Sequence, residues 1–151
     1  MGKSVRARRP RAKRPVVMGK DLSVMVWIED IYGQVLFVKQ ARGRKLWALP
    51  GGKVRRNESL EGALRREVFE ETGLTISDCA PIDLFDRNKK ASVTLLFRAL
   101  VKPMRRKIAP RLAKEIASVQ FKALLPRNAT PSASFFWKRA QSSFDPLSLI
   151  T

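Results

Sequence analysis

The 151-residue chain contains no histidine, a single cysteine and a single tyrosine. Without histidine there is no Ser–His or Cys–His nucleophile pair and no imidazole ligand for a metal. The lone Cys79 excludes an intramolecular disulfide and any zinc site built from several cysteines, and it fits a reducing compartment. Acidic residues are also scarce, 13 against 31 Lys and Arg, leaving a formal charge of +18. A surplus of that size says nothing about fold. It favours anionic partners (phosphates, nucleic acid, an acidic membrane surface) over a surface that is merely solubilising. No apolar run approaches the roughly 18 residues of a membrane-spanning helix; the longest, such as Val24–Ile28 and Val35–Val38, are strand-sized. Chemistry here has to run on carboxylates, Lys, Arg, hydroxyls or a hard metal ion.

What remains, 44% apolar in a chain of ordinary domain length, describes one globular unit with a core of its own. Residues 1–20 stand apart from it. Lys3, Arg6, Arg8, Arg9, Arg11, Lys13, Arg14 and Lys20 alternate with Pro10 and Pro15, with no acid among them. Such a stretch cannot bury a core and is expected to be a disordered basic arm. It lacks the apolar centre of a secretory signal. A nucleic-acid arm, a nuclear signal and an Arg-rich organelle presequence all remain open, as do a dispensable tail and a start codon placed too early, Met18 being available. Residues 21–142 form the expected domain and 143–151 a C-terminal tail.

Within the domain, Leu22–Glu29 and Gln34–Gln40 read as strands joined by a turn at Asp30-Ile31-Tyr32-Gly33. Trp47–Leu49 reads as a short strand ended by Pro50-Gly51-Gly52. Ser59–Thr72 reads as a helix, capped by Asn57 or Ser59 and stopped by Gly73. Ser92–Val101 and Ile116–Leu124 are further strands, and Ala133–Ser142 is a closing helix. The expected fold class is α/β, a mixed sandwich.

Five of the 13 acidic residues fall between positions 58 and 71: Glu58, Glu61, Glu67, Glu70 and Glu71. Glu67, Glu70 and Glu71 are spaced i, i+3, i+4 and so share one side of the helix near its C-terminus. Like charges at i, i+4 repel, and anions oppose the dipole at that end, each costing about 0.3–1 kcal/mol. A solvated Glu-rich face would show alternating lysines, which the last turn lacks. A divalent cation offsets the repulsion, and Mg²⁺ suits carboxylate oxygens supplemented by water and substrate phosphate.

The stretch from Gly52 through Glu58 to Arg66-Glu67-Val68-Phe69-Glu70-Glu71-Thr72-Gly73-Leu74 satisfies every specified position of G-x5-E-x7-R-E-U-x-E-E-x-G-U, with U aliphatic. This is the Nudix box, and the approach Leu46-Trp47-Ala48-Leu49-Pro50-Gly51 also resembles that family, so the chain resembles a MutT-like Nudix hydrolase over roughly residues 22–126. The resemblance implies a mixed β-sheet sandwiched between helices (α/β/α), with the box as a loop–helix–loop. It implies Glu70 and Glu71 as metal ligands, helped by the Gly51 or Gly52 carbonyl, with Mg²⁺ as cofactor and Mn²⁺ as a substitute. Glu67 would bind metal or act as base, Arg66 would orient it, and Glu58 would be supportive. One acid outside the box often completes such sites, and Glu115 is the candidate. Arg42, Arg44, Lys45, Lys53, Arg55 and Arg56, close to the box in sequence, are candidate phosphate contacts. Each of them is also open to being an ordinary surface charge.

The resemblance further implies hydrolysis of a pyrophosphate bond in a nucleoside-diphosphate-linked substrate. The proline and tyrosine markers of ADP-ribose and dinucleoside-polyphosphate subfamilies are missing from the region where Lys89-Lys90-Ala91 stands, and so is the coenzyme A signature. A (deoxy)nucleoside triphosphate is the default substrate, with a dinucleoside polyphosphate beside it. Diphosphoinositol polyphosphates, RNA 5′ ends and a non-enzymatic nucleic-acid-binding module are the alternatives. Trp27, Trp47, Phe85 or Trp137 could stack on a base, against the simpler expectation that each is core. An anionic small molecule is the expected partner, with nucleic acid open through the arm. No membrane span is expected. The expected location is cytoplasmic, with nuclear or organelle targeting by the arm left open, and the sequence leaves the oligomeric state undetermined.

Overall fold

The computed structural model describes residues 16–17, 19–88, 91–104 and 107–142. The remaining parts of the arm, Lys89-Lys90 and the 143–151 tail lie outside the described residues. Among the described residues, two sheets and two helices make up the fold. In the first sheet the central strand is β2 (Lys20–Trp27), whose burial alternates along its second half. Alternate residues point to opposite faces of a strand, and here both faces are covered. Val24 and Val26, with Ile28 beyond the strand end, pack with Leu64 and Val68 of α1 (Leu60–Thr72). Trp27 packs with Ala133 and Phe136 of α2 (Pro131–Ser142). The two helices therefore lie on opposite sides of β2, as the α/β/α expectation requires.

Along one edge of β2 run β1 (Val16–Val17) and β5 (Gly51–Lys53), both antiparallel to it, with Met25 opposite Gly51. Along the other runs β7 (Ser92–Val101), parallel to β2, so the sheet is mixed. The long β6 (Ile76–Arg87) pairs antiparallel with β7 and closes that side. In the second sheet β3 (Val35–Gln40) lies between β4 (Trp47–Ala48) and β8 (Ile116–Lys122). Its Leu36 faces the α1 core, while Val35 and Phe37 face the α2 core.

The 30–33 turn closes as its sequence demands: the Asp30 carboxylate accepts the Tyr32 and Gln34 N–H groups, and Gly33 takes a φ of 74°. Helix α1 begins at Ser59, whose hydroxyl accepts the Gly62 N–H at 2.9 Å. It ends at Gly73, at φ 75°, whose N–H returns to the Phe69 carbonyl. Ser59, not Asn57, is thus the cap. The sheet begins upstream of the expected boundary at residue 21, since Val16 and Val17 pair with Asp21 and Lys20. Among the described residues no helix is long and apolar enough to cross a membrane.

Replacing Ser59 by Ala leaves the Gly62 N–H without its acceptor and should cost about 1 kcal/mol in stability, read as a lower midpoint of urea unfolding with an unchanged slope. An unchanged midpoint would show that the cap carries no stability.

Candidate active site

Helix α1 offers its acidic side to the loop that enters β5. Glu58 lies just before the helix, where its Oε1 accepts the Arg55 N–H at 3.0 Å. Both of its oxygens grip Arg66, from Nε at 2.7 Å and Nη2 at 2.9 Å. The other side of the same guanidinium reaches Glu67 Oε1 at 2.7 Å and Glu70 Oε2 at 3.4 Å, and Nη2 also meets the Lys53 carbonyl. One cation thus holds three carboxylates and ties the helix to β5. Arg66, Glu58 and Glu67 keep only 17%, 19% and 15% of their side-chain surface exposed, so these pairs are shielded from water. Such charge-assisted, bidentate contacts are the stronger kind.

The glycines bring backbone against this cluster. Gly51, at φ 153°, lies so close to β2 that a Cβ would sit 2.1 Å from the Val24 carbonyl oxygen. At Gly52 a Cβ would fall 2.6 Å from the Glu67 carboxyl carbon. The missing side chains are what allow Glu67 to lie on the loop, and the Gly51 N–H donates to Glu71 Oε2 at 3.0 Å.

Electrostatics separate these glutamates. The Arg66 hydrogen bonds hold Glu58 down at about 2 against the opposing effect of burial. Arg66 itself is raised, chiefly by Glu58. Burial raises Glu67 despite Arg66, with Glu70 and Glu115 adding to the rise. Glu71 is pushed up to about 8, first by burial and then by Glu67, Glu115 and Glu70, against the opposing Gly51 N–H. Glu115 adds a smaller repulsion to both Glu67 and Glu71. Its carbonyl accepts the Ala41 N–H, which ties its loop to the end of β3.

The donor set is carboxylate and backbone oxygen, which fits a hard divalent cation rather than zinc. Among the described residues no three acidic side chains form a closed metal cage. Glu67 and Glu70 turn to Arg66 and Glu71 turns to Gly51.

Of the candidate phosphate contacts, Arg42, Arg44 and Lys45 lie exposed in the β3–β4 loop, Lys53 ends β5, and Arg55 and Arg56 lie exposed between β5 and the helix cap, Arg55 beside Glu58. Of the aromatics, Trp27 is core, 7% exposed and stacked at a tilt on Trp137. Phe85 stacks on Phe135 at 4.2 Å. Trp47 is half-buried and carries the Lys122 ammonium 4.1 Å from its ring centre. Sequence reasoning missed that pairing, and no spacing rule signals it, because Trp47 and Lys122 sit on different strands.

A mixed sheet between two helices, with glutamates of one helix set against the two glycines of β5, is the arrangement in which the family is recognised. The chain belongs to the Nudix hydrolase family: the model of the NUDIX domain matches residues 19–138. It is 47% identical over 45 residues to an 8-oxo-dGTP diphosphatase of Buchnera aphidicola, covering 27% of this chain and 35% of that protein. Against an RNA pyrophosphohydrolase of Saccharophagus degradans it is 38% identical over 56 residues, 37% of this chain and 33% of that protein. These matches span about a third of each relative's length. The crystal structure of a MutT NUDIX hydrolase from Burkholderia pseudomallei superposes with a TM-score of 0.70, covering 79% of this chain and 96% of that one at 23% identity, which speaks to the fold alone.

Without metal, the raised Glu71 carboxyl makes stability depend on pH. Below its ordinary value of 4.5 it is protonated folded or unfolded and costs nothing. From 4.5 to about 8 the unfolded chain ionises first, so stability falls as pH rises and then levels off. The lowered Glu58 acts in the opposite sense: its contribution is present above 4.5 and is lost as pH falls towards about 2. In EDTA, Glu71→Gln should flatten the alkaline fall without changing the acid limb. An unfolding free energy that changes equally with pH from 5 to 8 in wild type and Glu71→Gln would show that Glu71 is not buried uncharged.

Proposed function

We propose that the protein catalyses Mg²⁺-dependent hydrolysis of a pyrophosphate bond in a nucleoside-diphosphate-linked substrate, a (deoxy)nucleoside triphosphate or a dinucleoside polyphosphate, with Mn²⁺ able to substitute. One observation carries the reading: Glu67 and Glu71 are gathered against the Gly51–Gly52 backbone in a chain without histidine, Glu70 shares Arg66 with Glu67, and Arg66 is their one cationic partner among the described residues. Such crowding costs stability, and binding and cleaving a metal–phosphate complex gives it a use.

Divalent metal, when bound, neutralises phosphate oxygens and lowers the pKa of a water. Glu70 and Glu71 supply carboxylate oxygens for it, together with the backbone carbonyl of Gly51 or Gly52. Glu67, its pKa raised by burial, takes the proton of the attacking water. Arg66 fixes Glu67 in place, and Glu58 fixes Arg66. Arg42, Arg44, Lys45, Lys53 and Arg55 are the cations near enough in the chain to take up charge on the phosphoryl oxygens. A cytoplasmic location fits the lone cysteine.

A second substrate reading rests on how charge is distributed. From Ile31 to Asn57 there is no acidic residue, while Lys39, Arg42, Arg44, Lys45, Lys53, Arg55 and Arg56 are all cationic. In the second sheet the charged residues are Lys39 of β3 and Lys122 of β8, both directed at Trp47. A second sheet whose charged residues are both lysines fits a longer polyanion, such as RNA with a 5′-triphosphate, better than a free nucleotide.

In a hydrolysis screen with Mg²⁺, Glu67→Gln should lower turnover about 10²-fold or more, and Glu71→Gln should abolish it at ordinary metal concentrations. Both variants should stay folded by circular dichroism. The panel holds nucleoside and deoxynucleoside triphosphates, dinucleoside polyphosphates, inositol pyrophosphates and 5′-triphosphate RNA. Near-normal turnover in either variant would refute the site. Preference for RNA that weakens steeply with salt would select the second reading.

A further inference from the structure

Glu115 is separated from the box by more than 40 residues, yet the loop that leads to it docks on the helix that carries Glu67, Glu70 and Glu71. The loop that carries it is bound to the box helix. An α-helix leaves its last carbonyls without intrahelical donors, and in α1 the Glu70 carbonyl accepts the N–H groups of Arg111 at 2.9 Å and Leu112 at 3.2 Å. The Thr72 carbonyl accepts the Ala109 N–H at 3.2 Å. Leu112 in turn accepts from the N–H groups of Glu115 and Ile116, which sets the turn that presents Glu115.

One side-chain contact closes this arrangement. The Arg111 guanidinium lies 4.7 Å from the ring centre of Phe69, which is 41% exposed on the outer side of the helix. Phe69 occupies the unspecified position between Val68 and Glu70, so nothing in the box motif calls for an aromatic there. A large apolar ring left on a solvent face gains little by itself, whereas a ring under a guanidinium gains a cation–π contact. Arg111 forms no salt bridge among the described residues. The contact lies one residue from Glu70, at the point where the loop amides dock.

We propose that Phe69 and Arg111 are positioning residues that latch the 109–115 loop onto the last turn of α1 and so hold Glu115 in register with Glu67, Glu70 and Glu71. Neither touches substrate. Both act through the distance between Glu115 and the box. This rests on the metal-dependent reading of the site, so the test includes a measurement that needs no metal.

Charge alone predicts the opposite of positioning. Removing a cation beside an acidic cluster should tighten Mg²⁺ binding, and Phe69→Ala should leave the electrostatics unchanged. Under the latch, Arg111→Ala and Phe69→Ala each raise the half-saturating Mg²⁺ concentration about two- to fivefold, the scale of an exposed cation–π contact. At saturating Mg²⁺ they leave the substrate KM unaltered. The double variant should be no worse than either single one, and Arg111→Lys and Phe69→Tyr should restore most of the loss. In EDTA, hydrogen exchange at the Ala109, Arg111 and Leu112 amides should quicken in both alanine variants, while the core of β2 is unaffected. Tighter or unchanged Mg²⁺ dependence with unaltered exchange at these amides would overturn the latch. Quickened exchange in a protein that shows no metal dependence would keep the latch and reject the metal reading.

Discussion

Arg66 holds together charges that would otherwise drive the site apart. Its guanidinium faces Glu58 on one side and Glu67 and Glu70 on the other, and its reach to the Lys53 carbonyl fastens α1 to β5. Without that cation, the last turns of the helix would carry several anions at an end whose dipole already disfavours them. Arg66 stabilises Glu58 so firmly that it is ionised under all ordinary conditions. Burial nevertheless raises the proton affinity of the weaker-held Glu67 above its ordinary value, against the pull of Arg66. Glu71 lies beyond Arg66's grip and is the most perturbed of the set. Repulsion left unbalanced there is the chemical opening for a divalent cation.

The fold makes that geometry unavoidable. Gly51 is both a β5 residue, opposite Met25, and the donor to Glu71, so the sheet register sets where the carboxylate is met. On the far side, Glu115 comes in on a loop whose amides occupy the free carbonyls of α1 and whose own carbonyl is bound by Ala41 of the β3–β4 loop. The helix is thus held at its start by Ser59, along its acidic side by β5, and at its end by the loop that leads to Glu115.

Much of this could be read from the sequence, for identifiable reasons. The box works through side-chain types at fixed helical spacing, so both the helix and its glutamates could be found. Ser59 and Gly73 marked the helix ends because capping has a chemical signature. Ser92–Val101, rich in β-branched and apolar residues, was equally plain. The neighbouring β6 was not: Asp78, Pro81, Asp83 and Asp86 break its pattern, two register shifts interrupt its pairing, and most of it is solvent-facing. β5 was hidden because Gly-Gly-Lys has no strand character of its own and pairs only because β2 is there. Glu115 stood out by its isolation. The docking of residues 109–112 left no trace, since backbone amides of any residue type make it.

The central claim is that Glu71 is held largely protonated by burial and by its acidic neighbours until a metal is bound. Calorimetric titration of Mn²⁺ into the protein at pH 7, repeated in buffers of different ionisation enthalpy, counts the protons released. With Glu71 at about 8 before binding, the account predicts release of about one proton per site, and that release should disappear in Glu71→Gln. Binding with no proton release, or the same release from the variant, would contradict it.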